Sequence, residues 1–172
     1  MLVGILSDTH GDTAAAAAGI ALLQQRGVTR FLHCGDVGSG GVLDLLAGLP
    51  AGFVFGNCDI DRPALARYAA TLGMDCHGEA GEVEIDGRRI AITHGDNARL
   101  VRGILDGQRH DYLLLGHTHV QRDEQVGKVR VINPGALHRA AQLTVALLDP
   151  AANRVEFHAV GLAPRPLSRP QP

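Results

Sequence analysis

The sequence has few cysteines, no long apolar run and no block of like charge, and each shortage removes a class of function. Three cysteines in 172 residues, Cys34, Cys58 and Cys76, are an odd number without close metal-ligand spacing. Neither a disulfide framework nor a thiolate zinc site is expected. No apolar stretch approaches the ~20 residues that cross a bilayer, and the opening MLVGILSDTH turns polar too soon for a signal-peptide apolar region. A cytoplasmic protein without a membrane partner is expected. Sixteen Lys and Arg stand against eighteen Asp and Glu, a formal net charge of −2, and no basic run is present to follow a phosphate backbone. Nucleic acid is therefore not expected as an obligatory partner. The net count does not exclude a small phosphate ester, because a bound metal would add local positive charge that it omits. Neither an internal repeat nor a heptad seam is visible.

What is present is a 45% hydrophobic share, enough for one core. A single domain is expected over residues 1–163, followed by the proline-rich PRPLSRPQP, residues 164–172, as a disordered or extended tail. The apolar run Met1 to Leu6 stops at Ser7-Asp8-Thr9-His10, as a buried strand does when it delivers side chains at its end. A helix capped by Asp12 or Thr13 follows, its alanine run suited to close packing on a sheet, and Gly27 ends it. The rhythm repeats with strands Arg30 to Cys34 and Gly52 to Phe55 and helices Val42 to Leu46 and Pro63 to Thr71. A hairpin through Asp86-Gly87 is expected over Glu82 to Thr93, then a helix from Ala98 to Asp106 capped by Asn97. The rest reads as strands: Tyr112 to Leu115, Arg122 to Val126, Val129 to Ile132, Leu143 to Leu148 and Val155 to Val160. Early parallel strands with helical crossovers and later antiparallel pairs imply an α/β sandwich of two mixed sheets with helices outside.

Chemistry-bearing residues gather at the ends of these strands, where open α/β sheets collect functional loops. Asp8 and His10 are two apart, so in an extended segment both leave on one side. Alone, this pair reads equally well as a helix cap. Asp36 follows the second strand, and a carboxylate can bridge two cations about 3.5–4 Å apart through its two oxygens. Asn57, in Gly-Asn-Cys-Asp, offers an amide oxygen, although by itself this tetrapeptide reads as a turn. His94 ends a hairpin arm, and His117 and His119 repeat the two-residue spacing after an apolar strand. Imidazole is the commonest transition-metal ligand, and convergence of five such motifs favours a metal centre over a set of caps and turns.

Taken in order, DTH, GD, GNCD, THGD and GHTH resemble the calcineurin-like metallophosphoesterase superfamily, in particular its small single-domain bacterial and archaeal phosphodiesterases, from Asp8 to about Gly135. The resemblance implies one metal held by Asp8, His10 and His119, a second by Asn57, His94 and His117, and Asp36 bridging them. Mixed oxygen and nitrogen ligation suits divalent transition metals, manganese foremost, with nickel, iron, cobalt or zinc as alternatives. The implied reaction is in-line attack of a metal-activated water or hydroxide on a small phosphate ester, with Asp36, Asn57 and His94 supporting hydroxide and phosphate. A homodimer is plausible for the family. The competing implication is a non-catalytic scaffold like the retromer's phosphoesterase-like subunit.

Three positions depart from the family pattern. Cys58 stands where many relatives carry a histidine that assists the leaving group; a thiol can in principle donate a proton, but a small packing residue is the simpler reading. Asp96 occupies the second histidine place of His-Gly-His, and Ala136 the serine place of Asn-Pro-Gly-Ser. Arg139 could hold a nonbridging phosphate oxygen, although a solvated surface arginine accounts for it equally. Asp12 and Asp59 are candidates for orienting ligands or for capping.

Overall fold

The computed structural model describes residues 1–161, so the proline-rich segment 164–172 lies outside the described residues. Along the chain run β1 (Val3–Leu6), α1 (Thr13–Gln24), β2 (Arg30–His33), α2 (Gly40–Asp44), β3 (Ala51–Phe53), α3 (Arg62–Thr71) and β4 (Asp75–Cys76). Then come β5 (Ala80–Ile85), β6 (Arg88–Thr93), α4 (Ala98–Gly107), β7 (Tyr112–Leu114), β8 (Arg122–Val126), β9 (Val129–Asn133), β10 (Thr144–Asp149) and β11 (Arg154–Ala159). They form a six-stranded sheet ordered β11-β10-β1-β2-β3-β4 and a five-stranded sheet ordered β5-β6-β7-β9-β8.

The strand faces explain why two sheets stack. Val3 and Ile5 of β1, Ile90 and Ile92 of β6, Tyr112 and Leu114 of β7 and Leu148 of β10 meet in one buried layer between the sheets. Residues of opposite parity serve the outer faces. Leu6, Phe31 and Phe53 pack under α1 to α3, while Ala91, Leu113 and Val131 pack with Val101 and Ile104 of α4. This two-residue alternation puts helices on both outsides of a double sheet. The alanine run has the packing role its composition suggests. Ala15 and Ala16 are fully buried, and a Cβ on Gly19 would lie 2.9 Å from Val145 Cγ1, so any larger residue would push α1 off β10.

Several local expectations match. Asp12 caps α1 by accepting from Ala15 N at 3.0 Å, and Asn97 caps α4 by accepting from Leu100 N at 3.2 Å. Asp86 and Gly87 both take positive φ, 51° and 72°, as a two-residue hairpin turn requires, with Ile85 and Arg88 paired across it. Two expectations need correction. The division into early parallel and late antiparallel strands does not follow the sheets: β10 and β11 return to the first sheet, and β6, β7 and β9 run parallel in the second. The two-residue β4 escapes sequence reading because Asp75 and Cys76 carry no alternation to detect.

Register brings the ends of these strands into line. Leu6 pairs with His33 and His33 with Phe53, while Ile92 pairs with Leu114 and Leu114 with Ile132. The loops that follow these strands open on one edge of the sandwich.

Beneath that edge lies His33, fully buried. The Thr9 hydroxyl donates to Val37 O at 3.0 Å, leaving its lone pair for His33 Nε2–H at 3.0 Å. His33 Nδ1 then has no partner. Burial holds this imidazole well below its ordinary value of 6.5, against the pull of Asp59 and Asp8. The unfolded chain therefore binds the proton first. Stability from the neutral ring is complete above about pH 6.5 and is lost as the pH falls towards the folded value. Thermal unfolding followed from pH 7 to pH 5 should show a falling midpoint, and His33→Gln should make the fall shallower; an identical slope in the variant would clear His33 of this role.

Candidate metal centre

Five of the seven ligand candidates have left-handed backbone conformations: Asp8, His10, Asp36, His117 and His119 have φ of 53°, 45°, 55°, 69° and 58°. Asp8 and His10 thus share a side because of a turn, not the extended segment expected from their spacing, and the same holds for His117 and His119. Each turn sends the intervening residue elsewhere. Thr9 points into the fold, where its hydroxyl meets His33, and Thr118 accepts from Asn133 Nδ2 at 3.2 Å. A non-glycine residue in this region costs of order 1 kcal/mol or more, a strain characteristic of functional sites.

The two carboxylates are anchored in parallel fashion. Asp8 Oδ2 accepts from Ser7 Oγ at 2.6 Å and from His117 N at 3.0 Å, turning Oδ1 towards the imidazoles. Asp36 Oδ1 accepts from Cys58 N at 2.7 Å, leaving Oδ2 to face the same space. Asp36 thus turns Oδ2 towards His94 and His10. Around these oxygens stand three imidazoles. Asp8 Oδ1 lies 3.2 Å from His119 Nε2, 3.9 Å from His94 Nε2 and 4.0 Å from His10 Nε2, and Asp36 Oδ2 lies 3.3 Å from His94 Nε2 and 3.6 Å from His10 Nε2.

These groups satisfy what a cation needs. Asp8 Oδ1, His10 Nε2 and His94 Nε2 are buried and make no hydrogen bond. Leaving such atoms unpaired is costly, so these three orphaned ligand atoms fit a site built to bind cations. Asp8, His10 and His119 form one cluster close enough to share an ion, and Asp8, Asp36 and His94 form another. His117 belongs to no such cluster, but its ring stands 5.2 Å from that of His94. Asn57 is exposed on the cleft wall, where its Nδ2 donates to Cys58 Sγ at 3.2 Å.

The charge states agree with this arrangement. Burial favours the neutral acid at Asp36, but the neighbouring His94 and the Cys58 N–H outweigh it and hold the carboxyl well below the usual range. Burial lowers His94 too, yet Asp36 and the Cys34 carbonyl lift it above its ordinary value overall. At His10, burial prevails over both carboxylates and the imidazole shifts down. His94 has a fixed tautomer: Nδ1 lies 2.8 Å from Cys34 O, so Nδ1 carries the proton and Nε2 presents its lone pair to the centre.

Over His10 and Asp36 opens a cleft of about 430 Å³ walled by Asn57, Cys58, His117 and His119. Cys58 corrects its sequence reading. It is exposed, not a packing residue, and desolvation followed by Asp36 pushes its thiol up. His138 and Arg139 complete the rim, and the His138 ring sits 5.4 Å from that of His10. His138 is a cleft residue that sequence reading misses, because nothing in Leu137-His138-Arg139 separates it from a surface histidine. Asp59 braces the centre by accepting from Gly38 N at 2.9 Å and Gly56 N at 2.8 Å. Asn133 braces the histidine turn by donating to Gly116 O at 2.6 Å.

A double sheet with carboxylates and imidazoles at its loop edge defines a metal-dependent phosphoesterase. The profile of the calcineurin-like phosphoesterase superfamily domain matches residues 1–153, and the chain belongs to that superfamily. Among curated proteins it is 31% identical to a phosphodiesterase of Methanocaldococcus jannaschii over 138 residues, 78% of this chain and 83% of that protein. Among solved structures it is similar to an archaeal phosphodiesterase, with TM-score 0.86 and 26% identity over 93% of this chain and all of that one. Its fold is also similar to the phosphoesterase Yfce of E. coli, with TM-score 0.65 and 21% identity, covering 94% of this chain and 100% of that one. Vps29 of Entamoeba histolytica complexed with zinc shares the fold at TM-score 0.64 and 18% identity, covering 93% of this chain and 98% of that one.

A crowded glycine lets the two sheets meet at the centre. A Cβ on Gly116 would lie 1.9 Å from Ser7 Oγ and 2.8 Å from Asp8 Oδ2. Gly116→Ala should therefore dislodge Asp8 and weaken metal binding by about 10–100-fold or more, with Ser7→Ala at the lower end of that range. Titration against a competing chelator measures both, and wild-type affinity in Gly116→Ala would contradict the geometry.

Proposed function

We propose that the chain is a dinuclear metal-dependent phosphodiesterase of small phosphate esters, with Asp8, His10 and His119 holding one ion, Asn57, His94 and His117 the other, and Asp36 between them. The observation that carries this reading is that Asp8 Oδ1, His10 Nε2 and His94 Nε2 are buried without partners, divided between an Asp8, His10 and His119 group and an Asp8, Asp36 and His94 group. The likeness to a curated phosphodiesterase supports the diester. Manganese is the favoured metal, from a donor set that mixes carboxylate oxygen with imidazole nitrogen. Cytoplasmic location and a homodimeric state complete the reading; among the described residues no helix is long and apolar enough to cross a membrane.

Bound there, two divalent ions would supply positive charge for the phosphoryl oxygens and a water acidified for attack near neutral pH. The chain's own residues fix the rest. Ser7 and the His117 N–H hold Asp8, the Cys58 N–H holds Asp36, and the Cys34 carbonyl holds His94, so each donor meets its ion already oriented. Cys58 stands where many members of the wider family carry a histidine, and desolvation followed by Asp36 raises its thiol, which keeps it protonated. Departure of a poor leaving group is then little assisted, which favours activated aryl diesters over alkyl monoesters. The likeness to Vps29 concerns the fold alone, and no observation on this chain favours a scaffold over a hydrolase.

The test is to strip the protein of metal, restore manganese, nickel, zinc or magnesium singly, and assay a bis-aryl phosphodiester, an alkyl monoester and a peptide amide. Metal-dependent diester cleavage is expected, with Asp36→Ala and His94→Ala each losing more than the roughly 100-fold typical of an outer partner. Diester and alkyl monoester turned over at equal rates would refute the leaving-group argument. Because the imidazoles bind only when neutral, metal content should fall as the pH is lowered from about 7 to about 5. Full retention at the acid end would speak against histidine ligation.

A further inference from the structure

Beside the metal cleft lies a second cavity of about 370 Å³, and Cys58 belongs to the walls of both. Its other walls are Ile60, Leu65, Tyr68, Ala64 and the loop at Gly40. Ile60 is 95% exposed, although it directly follows the loop that carries Asn57 and Cys58. A single exposed apolar residue needs no explanation, but this one forms the edge of a cavity that shares Cys58 with the metal cleft.

Tyr68 is held on two sides. A Cβ on Gly40 would lie 2.9 Å from Tyr68 Cε1, so the ring rests against bare backbone, and the Tyr68 hydroxyl donates to Asp44 Oδ1. The cavity's two carboxylates, Asp59 and Asp61, are committed to backbone donors. Both oxygens of Asp59 accept backbone N–H groups, and Asp61 Oδ1 accepts from Ala64 N at 3.0 Å to cap α3. Among the described residues no lysine, arginine or histidine lines it. Nothing there would stabilise a second phosphate or a carboxylate. The volume lies at the small end of the range for ligand pockets, about 300–1,000 Å³.

We propose that this cavity is a substituent subsite, receiving an uncharged, ring-bearing ester group of the phosphodiester while the phosphoryl group occupies the metal centre. The inference rests on the reading of that centre given above and specifies its substrate class. The opposite rim is of different character. Arg139 stands there with φ of 47° and no ion-pair partner among the described residues, so the cleft distinguishes its two sides by polarity.

The probes are methylphosphonate, phenylphosphonate and 2-aminoethylphosphonate, measured by calorimetry on the manganese-loaded protein and as competitive inhibitors of diester cleavage. Phenylphosphonate should bind about tenfold or more tightly than methylphosphonate, reflecting burial of the ring. Ile60→Ala and Tyr68→Ala should each reduce that ratio about threefold or more, and Ala64→Phe, which fills the cavity from its α3 wall, should bring it to about one. Equal binding of methyl and phenyl probes by the wild type, or tightest binding of the aminoethyl probe, would overturn the subsite and leave the metal centre standing. No phosphonate binding at all would defeat the metal-centre reading and take the subsite with it. An unchanged ratio in Ile60→Ala accompanied by loss of self-association would show that the patch meets a second copy of the chain, and that too would overturn the proposal.

Discussion

The Asp8 carboxylate joins the two halves of this molecule. Its Oδ2 is held by the hydroxyl of its own neighbour Ser7 in the first sheet and by the backbone of His117 in the second. Its Oδ1 is left facing His10, His94 and His119. One oxygen serves structure and the other chemistry, and the orientation of the second follows from the bonds of the first. Had Oδ2 been free to turn, the buried Oδ1 would have sought a hydrogen bond of its own, and the space for a cation would have closed.

The centre stores free energy in its backbone and releases it into position. Left-handed residues at five ligand sites, each costing of order 1 kcal/mol or more, persist because the flanking chain allows no alternative. Asp and His bear this conformation better than β-branched residues, which is one reason ligand chemistry and turn geometry coincide here. Small neighbours supply the room. A Cβ on Gly56 would lie 2.0 Å from Asp36 Oδ1, and one on Gly35 would lie 2.8 Å from His94 Nδ1. Gly35, Gly56 and Gly116 are thus as specific as the ligands they accompany.

The fold class, the helix caps and the hairpin are readable in sequence because they are local: Asp12, Asn97 and Asp86-Gly87 act on their own neighbours. The ligand candidates are readable because residue types with few other uses recur at strand ends. What sequence conceals depends on contacts between distant segments. The return of β10 and β11 to the first sheet is fixed by pairing of Val3 with Leu148, which no local pattern announces. The cleft position of His138 is likewise set by where the loop after β9 meets His10, and the exposure of Cys58 by the bond from its N–H to Asp36. The apolar cavity requires Gly40 and Tyr68 to be neighbours, and their places in sequence give no hint of it.

The placement of β1 sets a timetable for synthesis. Its neighbours are β2, made soon afterwards, and β10, made almost last, so on the ribosome one edge of β1 stays unpaired until Thr144–Asp149 has emerged. Non-local pairing of this kind is slow, and an unpaired edge invites association with other chains. The Asp8 turn that follows β1 is closed by His117, so its anchoring waits until β7 and the turn after it have been made.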